Sequence, residues 1–178
     1  MSNTERRSRG LLTLFLAIYG LWCGLKPDQF HFPDALDLPI HETGHIVFGW
    51  GGEVVNALGG TLFQLIVPIV FVIYFWRKKD RHAASVMLWW VGQNCFNIAR
   101  YVADARVQEL PLVGGGEHDW AFLLAAWRLL PQDHAIAYDL RGVAWLIIAA
   151  STLLGWLSLE REPMTTTALV TTTEDAPS

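Results

Sequence analysis

The stretch VVNALGGTLFQLIVPIVFVIYFW, residues 54–76, contains no charged residue. A helix needs about 20 apolar residues to cross the hydrocarbon core of a bilayer, so this stretch is long enough to span a membrane. Three further charge-free stretches approach that length once their flanks are included: residues 11–25, 83–99 and 142–159. The sequence therefore predicts an all-α membrane bundle of about four transmembrane helices, with short and partly inserted helices between them.

The composition agrees with a membrane protein. Of the 178 residues, 52% are hydrophobic and only 17% are charged, whereas soluble domains carry about 25% charged residues. The net charge is −4 and no basic stripe is present, which excludes a nucleic-acid partner and leaves the lipid bilayer as the expected surroundings. Cys23 and Cys95 both lie in apolar runs, which predicts inert packing thiols.

Basic residues predict the orientation of the chain. Arg6, Arg7 and Arg9 precede the first apolar stretch, and a second basic cluster lies at residues 77–81. Lys and Arg accumulate on the cytoplasmic side, so the N-terminus and this cluster are expected in the cytoplasm. The outer side then receives residues 26–53 and 100–141, which hold five of the six histidines.

This orientation divides the chain into three parts. We expect a cytoplasmic N-terminus at residues 1–10 and a membrane-embedded, metallopeptidase-like domain at residues 11–160. The remaining residues, 161–178, are rich in Thr and show no apolar periodicity. That composition predicts a disordered tail.

The segment His41-Glu42-Thr43-Gly44-His45 contains the pattern H-E-x-x-H. On a helix, residues four apart lie one turn apart on the same face, so both imidazoles can bind one Zn²⁺ while Glu42 lies beside the metal-bound water. Asp37 is expected to cap this helix. The helix from residue 38 to residue 50 is about 20 Å long, too short to cross the membrane, and is expected to turn back at Gly51-Gly52.

A catalytic zinc normally takes a third protein ligand. The glycine run at residues 114–116 leads to His118 and Asp119 at the start of a short apolar helix of about residues 120–130. Either residue of this pair can be the third ligand, with the other acting as a cap or hydrogen-bond partner. Asp104, His134 and Asp139 also lie on the predicted outer side.

The third predicted span carries a polar stripe. Asn94, Asn97, Tyr101 and Asp104 recur at spacings of three and four, which places them on one helix face directed into the bundle. Asp104 is expected to support a ligating imidazole, to be a ligand itself, or to pair with Arg100 or Arg106. Asn97 is a second candidate for supporting an imidazole. Gln64 and Gln93 are expected to make hydrogen bonds between helices.

The motif, including the glycine before its second histidine, resembles that of the site-2-protease-like intramembrane zinc metallopeptidases. This resemblance implies zinc ligation by His41 and His45, a general base at Glu42, and a later aspartate ligand, for which Asp119 is the nearest counterpart. His118-Asp119-Trp120 stands where the family has Asp-Gly. Together with residues 59–65, the motif also resembles a set of small bacterial membrane proteins, which implies the bacterial inner membrane.

These observations predict a membrane-embedded, zinc-dependent hydrolase. The expected reaction is cleavage of peptide bonds at or within the membrane, with a membrane-embedded or membrane-proximal polypeptide as the substrate. The same groups can also hydrolyse a lipid amide or ester. A non-catalytic protein, in which zinc is structural or sensed, is the remaining alternative, and it would require a closed coordination sphere.

Overall fold

The computed structural model describes residues 2–111 and 117–161, which form helices, turns and loops and no strand. The glycine run at residues 114–116 and the Thr-rich tail from residue 162 lie outside the described residues. Six α-helices follow one another in this part of the chain: α1 (Asn3–Leu25), α2 (Asp34–Phe48), α3 (Glu53–Arg77), α4 (Arg81–Ala103), α5 (Asp119–Ala126) and α6 (Asp133–Arg161). The all-α prediction is confirmed.

Within the described residues, three helices are long and apolar enough to cross a membrane: Asn3–Leu25, Glu53–Arg77 and Leu130–Glu160. They correspond to the first, second and fourth predicted spans. The third predicted span is α4, which has 23 residues but contains no stretch as apolar as those of the three other long helices. Several of its polar residues, including Gln93 and Asn94, are buried, because α4 packs against α1, α3 and α6.

The long helices alternate in direction. Arg9, near the start of α1, lies 3.7 Å from Asp80 in the α3–α4 turn. At the other end of the bundle, Arg141 in α6 lies 2.9 Å from Asp28, which follows α1. The short helices α2 and α5 lie at this second end, where α3 begins and α4 ends.

Side-chain caps and one glycine define several helix boundaries. Asp80 accepts a hydrogen bond from the backbone N–H of Ala83 and starts α4, and His118 accepts one from Ala121 and starts α5. Gly52 has φ +84° between α2 and α3, a conformation that favours glycine. The predicted turn at this glycine pair is therefore confirmed.

The capping role predicted for Asp37 is wrong. Helix α2 begins at Asp34, three residues earlier, and Pro33 occupies the position before it. Asp37 lies inside the first turn, where its buried carboxyl group accepts a hydrogen bond from Nε1 of Trp90 at 2.8 Å. The extra residues let α2 bury two carboxyl groups against α4, which a helix starting at residue 38 would not do.

Candidate metal centre

His41 and His45 lie on one face of α2, as their spacing predicts. Their ring centroids are 4.9 Å apart, and their side chains are 12% and 20% exposed. Both rings therefore lie at the edge of the packed interior, accessible to a small ligand but largely shielded from water.

Asp119 approaches these rings from the first residue of α5. Its Oδ2 atom lies 3.0 Å from Nε2 of His41 and 3.3 Å from Nε2 of His45. The ligand atoms of the three residues all lie within 4.8 Å of one another. Ligands 2.0–2.1 Å from a tetrahedral zinc are about 3.3 Å apart, so these distances suit a single ion. His41, His45 and Asp119 can together hold a metal ion.

The other nitrogen of each ring contacts a carbonyl oxygen. Nδ1 of His45 lies 2.9 Å from the backbone oxygen of Asn56, and Nδ1 of His41 lies 3.2 Å from Oε1 of Gln64. A carbonyl oxygen only accepts, so each Nδ1 carries the hydrogen and each Nε2 of the neutral ring presents a lone pair to Asp119. Three electron-rich atoms facing one another require a cation or a proton between them.

The amide of Asn97 orients Gln64. Nε2 of Gln64 donates to Oδ1 of Asn97 at 2.9 Å, so the oxygen of Gln64 is left for Nδ1 of His41. An amide of α4 thus influences the tautomer of His41 through Gln64.

His118 does not belong to the group formed by His41, His45 and Asp119. Its Nδ1 accepts from the backbone N–H of Ala121 at 3.2 Å, and its Nε2 lies 3.3 Å from Oδ2 of Asp104. Burial lowers the pKa of His118, and the neighbouring Asp104 opposes that shift. Both ring nitrogens of His118 therefore face partners away from His41 and His45.

Asp104 does not reach the metal-binding group either. Its carboxylate accepts from the backbone N–H groups of Glu109 and Leu110 at 2.9 and 3.0 Å. It therefore supports His118 and the chain after α4. The two remaining candidates for a third ligand are exposed on α6: His134 and Asp139.

Close contact between α2 and α3 brings His41 and Gln64 together. A Cβ atom on Gly44 would collide with the backbone oxygen of Gly59, and one on Gly60 would lie 2.5 Å from Nε2 of His41. Gly59 and Gly60 therefore lie at a helix crossing inside α3. The glycine within the motif allows this close approach.

A cavity of about 230 Å³ lies beside His41 and Glu42. Its polar wall is formed by residues of α2, α3 and α4: Asp34, Asp37, Gln64, Asn97, Arg100 and Tyr101. Its apolar wall includes Phe30, Leu38, Leu110 and Pro111. A small organic group can therefore lie next to the motif glutamate.

Sequence reasoning missed Asp34 and the backbone oxygen of Asn56. Asp34 precedes His41 by seven residues and His45 by eleven, spacings that place all three on one side of a helix. Extending the motif helix toward the N-terminus would have found Asp34. The contact of the Asn56 backbone oxygen with His45 depends on the turn at Gly52, so no side-chain pattern in the sequence indicates it.

Comparison of the chain with protein-family models, with curated proteins and with solved structures found no match.

Proposed function

We propose that this chain is a membrane-embedded, zinc-dependent hydrolase, and specifically a metallopeptidase that cleaves peptide bonds at or within the membrane. The observation that carries the proposal is the convergence of His41 Nε2, His45 Nε2 and Asp119 Oδ2. Metal-ligating histidines usually donate their other ring N–H to a carbonyl or carboxylate, and both rings have such an acceptor.

The donor set fits zinc with one coordination position left open. Two imidazole nitrogens and a carboxylate oxygen are typical of catalytic zinc, which keeps its fourth position for water or substrate. His118, the nearest alternative imidazole, has its two nitrogens directed at Ala121 and Asp104. This arrangement favours catalysis over a closed structural site. Bound zinc lowers the pKa of a water molecule to about 7.

Glu42 and the cavity have separate roles in the proposed reaction. Glu42 lines the cavity together with His41, so its carboxylate can accept the proton of the attacking water and deliver it to the leaving amine. Gln64 and the Asn56 carbonyl hold the two imidazoles in the required tautomer. Substrates are expected to be extended or locally unfolded, because a helical peptide bond is covered by its own hydrogen bonds.

The proposed membrane arrangement has α4 as a fourth span, surrounded by the three apolar ones. It places the N-terminus in the cytoplasm and the metal centre toward the outer side of a bacterial inner membrane. Cysteines replacing Gln29 and Lys79, both exposed, test this orientation, since the native Cys23 and Cys95 are buried. A membrane-impermeant thiol reagent should label only the first in intact cells, and the opposite pattern would reverse the orientation.

The experiment that tests the metal centre is metal analysis of detergent-purified protein. Wild type should carry one zinc per chain, His45→Ala should carry none, and His134→Ala, which changes an exposed histidine, should match wild type. Zinc retained in His45→Ala would refute the proposed site. A peptide library incubated with wild type and Glu42→Gln then tests hydrolysis, and equal cleavage by both would refute the enzymatic role.

A further inference from the structure

Basic residues gather at the end of the bundle opposite the candidate metal centre. They come from the start of α1 and from the turn between α3 and α4: Arg6, Arg7, Arg9, Arg77, Lys78, Lys79 and Arg81. The two groups are adjacent, because Nη1 of Arg9 lies 3.7 Å from Oδ1 of Asp80 in that turn. They therefore form one surface, which we call the basic surface.

Nearby carboxylates leave most of this charge uncompensated. Glu5 and Asp80 both pair with Arg9, at 3.1 and 3.7 Å, and one further acid, Glu160, is exposed at the end of α6. Within the described residues, none of the other basic side chains of this surface forms an ion pair: Arg6, Arg7, Arg77, Lys78, Lys79 and Arg81. Cationic charge therefore exceeds acidic charge, which favours an anionic partner.

The helices themselves do not account for all of this charge. Arg6 lies in the first turn of α1 and Arg81 is the first residue of α4, positions at which the helix dipole disfavours a cation. Arg77, in the last turn of α3, has the favourable position. An anion from outside the chain would stabilise the two unfavourably placed guanidinium groups.

The basic surface lies directly beside an apolar, exposed helix end. The charge-free stretch of α3 ends at Trp76, immediately before the basic turn, and the side chains of Tyr74 and Trp76 are exposed. Arg81 lies over Trp76, with its guanidinium carbon 3.5 Å from the ring centroid. Trp and Tyr are enriched at the headgroup level of a membrane. In a membrane, the basic surface is therefore at the level of the lipid phosphates.

We propose that the basic surface binds the headgroup of an anionic phospholipid. The lipid phosphate lies between the start of α1 and the α3–α4 turn, where Lys and Arg donate charged hydrogen bonds to it. The acyl chains lie along exposed apolar side chains such as Leu11 of α1 and Ile73 of α3. Each Lys or Arg near a membrane surface strengthens binding to anionic lipid about fivefold. The proposal does not depend on the metal centre, which lies at the other end of the bundle.

Native mass spectrometry of the whole chain in dodecyl maltoside, a neutral detergent, tests this site. The probes are dioctanoyl phosphatidylglycerol, which is anionic, and dioctanoyl phosphatidylcholine, which has the same acyl chains and no net charge. Lys78→Gln/Lys79→Gln removes two exposed cations from the basic surface. Lys26→Gln/Arg128→Gln removes two exposed cations elsewhere, so the two double variants have the same net charge.

Wild type and Lys26→Gln/Arg128→Gln should bind phosphatidylglycerol more tightly than phosphatidylcholine. Lys78→Gln/Lys79→Gln should weaken binding of phosphatidylglycerol at least about tenfold. Equal binding of the two lipids by wild type, equal weakening in the two double variants, or no weakening in Lys78→Gln/Lys79→Gln would overturn the proposal. The comparison of the two lipids on wild type needs no variant, so it remains decisive even if a variant does not fold.

Two competitors separate a lipid site from general attraction of anions. Inorganic phosphate and hexaglutamate, each at the concentration of the lipid, should not displace phosphatidylglycerol, because neither has acyl chains to lie along α1 and α3. Displacement by either competitor would show that the surface binds any anion and would contradict a lipid site. None of these measurements involves bound zinc, so their failure is distinguishable from failure of the metal centre.

Discussion

Oδ2 of Asp119 lies 3.0 Å from Nε2 of His41, although 78 residues separate them in the chain. The contact joins the first turn of α5 to the motif helix α2. Helix α4 also positions Asp119, because the backbone N–H of Asp119 donates to the hydroxyl group of Tyr101 at 3.3 Å. Three helices therefore fix the position of one carboxylate.

Replacing Asp119 should have a different effect from replacing His118. Asp119→Ala removes a proposed ligand and should abolish stoichiometric zinc binding, whereas His118→Ala should keep the metal. The His118 variant should lose about 1 kcal/mol of stability, because its imidazole caps α5. Zinc competition titrations and thermal unfolding measure the two effects. Loss of zinc in His118→Ala with retention in Asp119→Ala would exchange their assigned roles.

Glu42→Gln should keep the metal and lose turnover. The amide preserves the size of the side chain but cannot accept the proton of the attacking water, so the rate should fall about 10²–10⁴-fold. Metal content and peptide hydrolysis are measured on the same preparation. If the variant loses its zinc, Glu42 is a ligand and not the base.

Gln64→Leu should weaken zinc binding without removing a ligand. The change deletes the acceptor for Nδ1 of His41, and loss of such a supporting hydrogen bond typically costs about 10–100-fold in metal affinity. Gln132→Leu, at an exposed position, is the matched control. Equal zinc affinities of Gln64→Leu and wild type would show that the tautomer of His41 does not depend on this amide.

Gly60→Ala should weaken zinc binding by displacing a ligand, without removing any ligand. The new methyl group would lie 2.5 Å from Nε2 of His41 and must displace the ring. Gly142→Ala adds the same methyl group where nothing lies within 4 Å, so that variant should bind zinc like wild type. The two glycine variants should therefore differ in zinc affinity while both remain helical by circular dichroism. Identical affinities would place the ligand atom of His41 elsewhere.

Asp37→Asn should make stability less sensitive to pH. Burial raises the pKa of Asp37 from 3.8 to about 7, and the hydrogen bond from Trp90 opposes the shift. Between about pH 4 and pH 7 the folded chain keeps a proton that the unfolded chain loses, so stability falls as the pH rises through this window. The contribution is up to about 4 kcal/mol, and Asn removes it.

Chemical unfolding at pH 5 and pH 8 measures this effect. Relative to wild type, Asp37→Asn should gain stability at pH 8, and its loss of stability between the two pH values should be smaller. Burial also raises the pKa of Asp34, so part of the slope should remain. Asp28→Asn should behave like wild type, and an unchanged slope in Asp37→Asn would show that this carboxyl group ionises normally.

The sequence predicted the parts of the site that depend on local spacing. His41 and His45 are one helical turn apart, so their convergence follows from the motif alone. The sequence could not decide whether His118 or Asp119 is the third ligand. Adjacent residues at a helix start point in directions about 100° apart, so one of them faces the imidazoles and the other does not. Only the angle at which α5 packs against α2 and α3 decides which side chain faces the imidazoles.

The start of α2 illustrates a second limit. Asp37 has the residue type that favours a helix cap, and the apolar periodicity near the motif gave no sign that the helix begins at Asp34. The structure buries both carboxyl groups against Trp90 and Gln93 of α4. Such a choice depends on a partner helix more than 50 residues away, which local propensity does not describe.

The glycine crossing of α2 and α3 has a consequence for how the ion would be captured. Because His41 lies against Gly60 and Nδ1 of His45 contacts the backbone oxygen of Asn56, the two histidine rings have little rotational freedom left to lose on binding. A preorganised receptor loses little conformational entropy on binding, and affinity is correspondingly greater. The two imidazoles should thus occupy nearly the same positions before and after the metal ion binds, so that binding requires little rearrangement of the site.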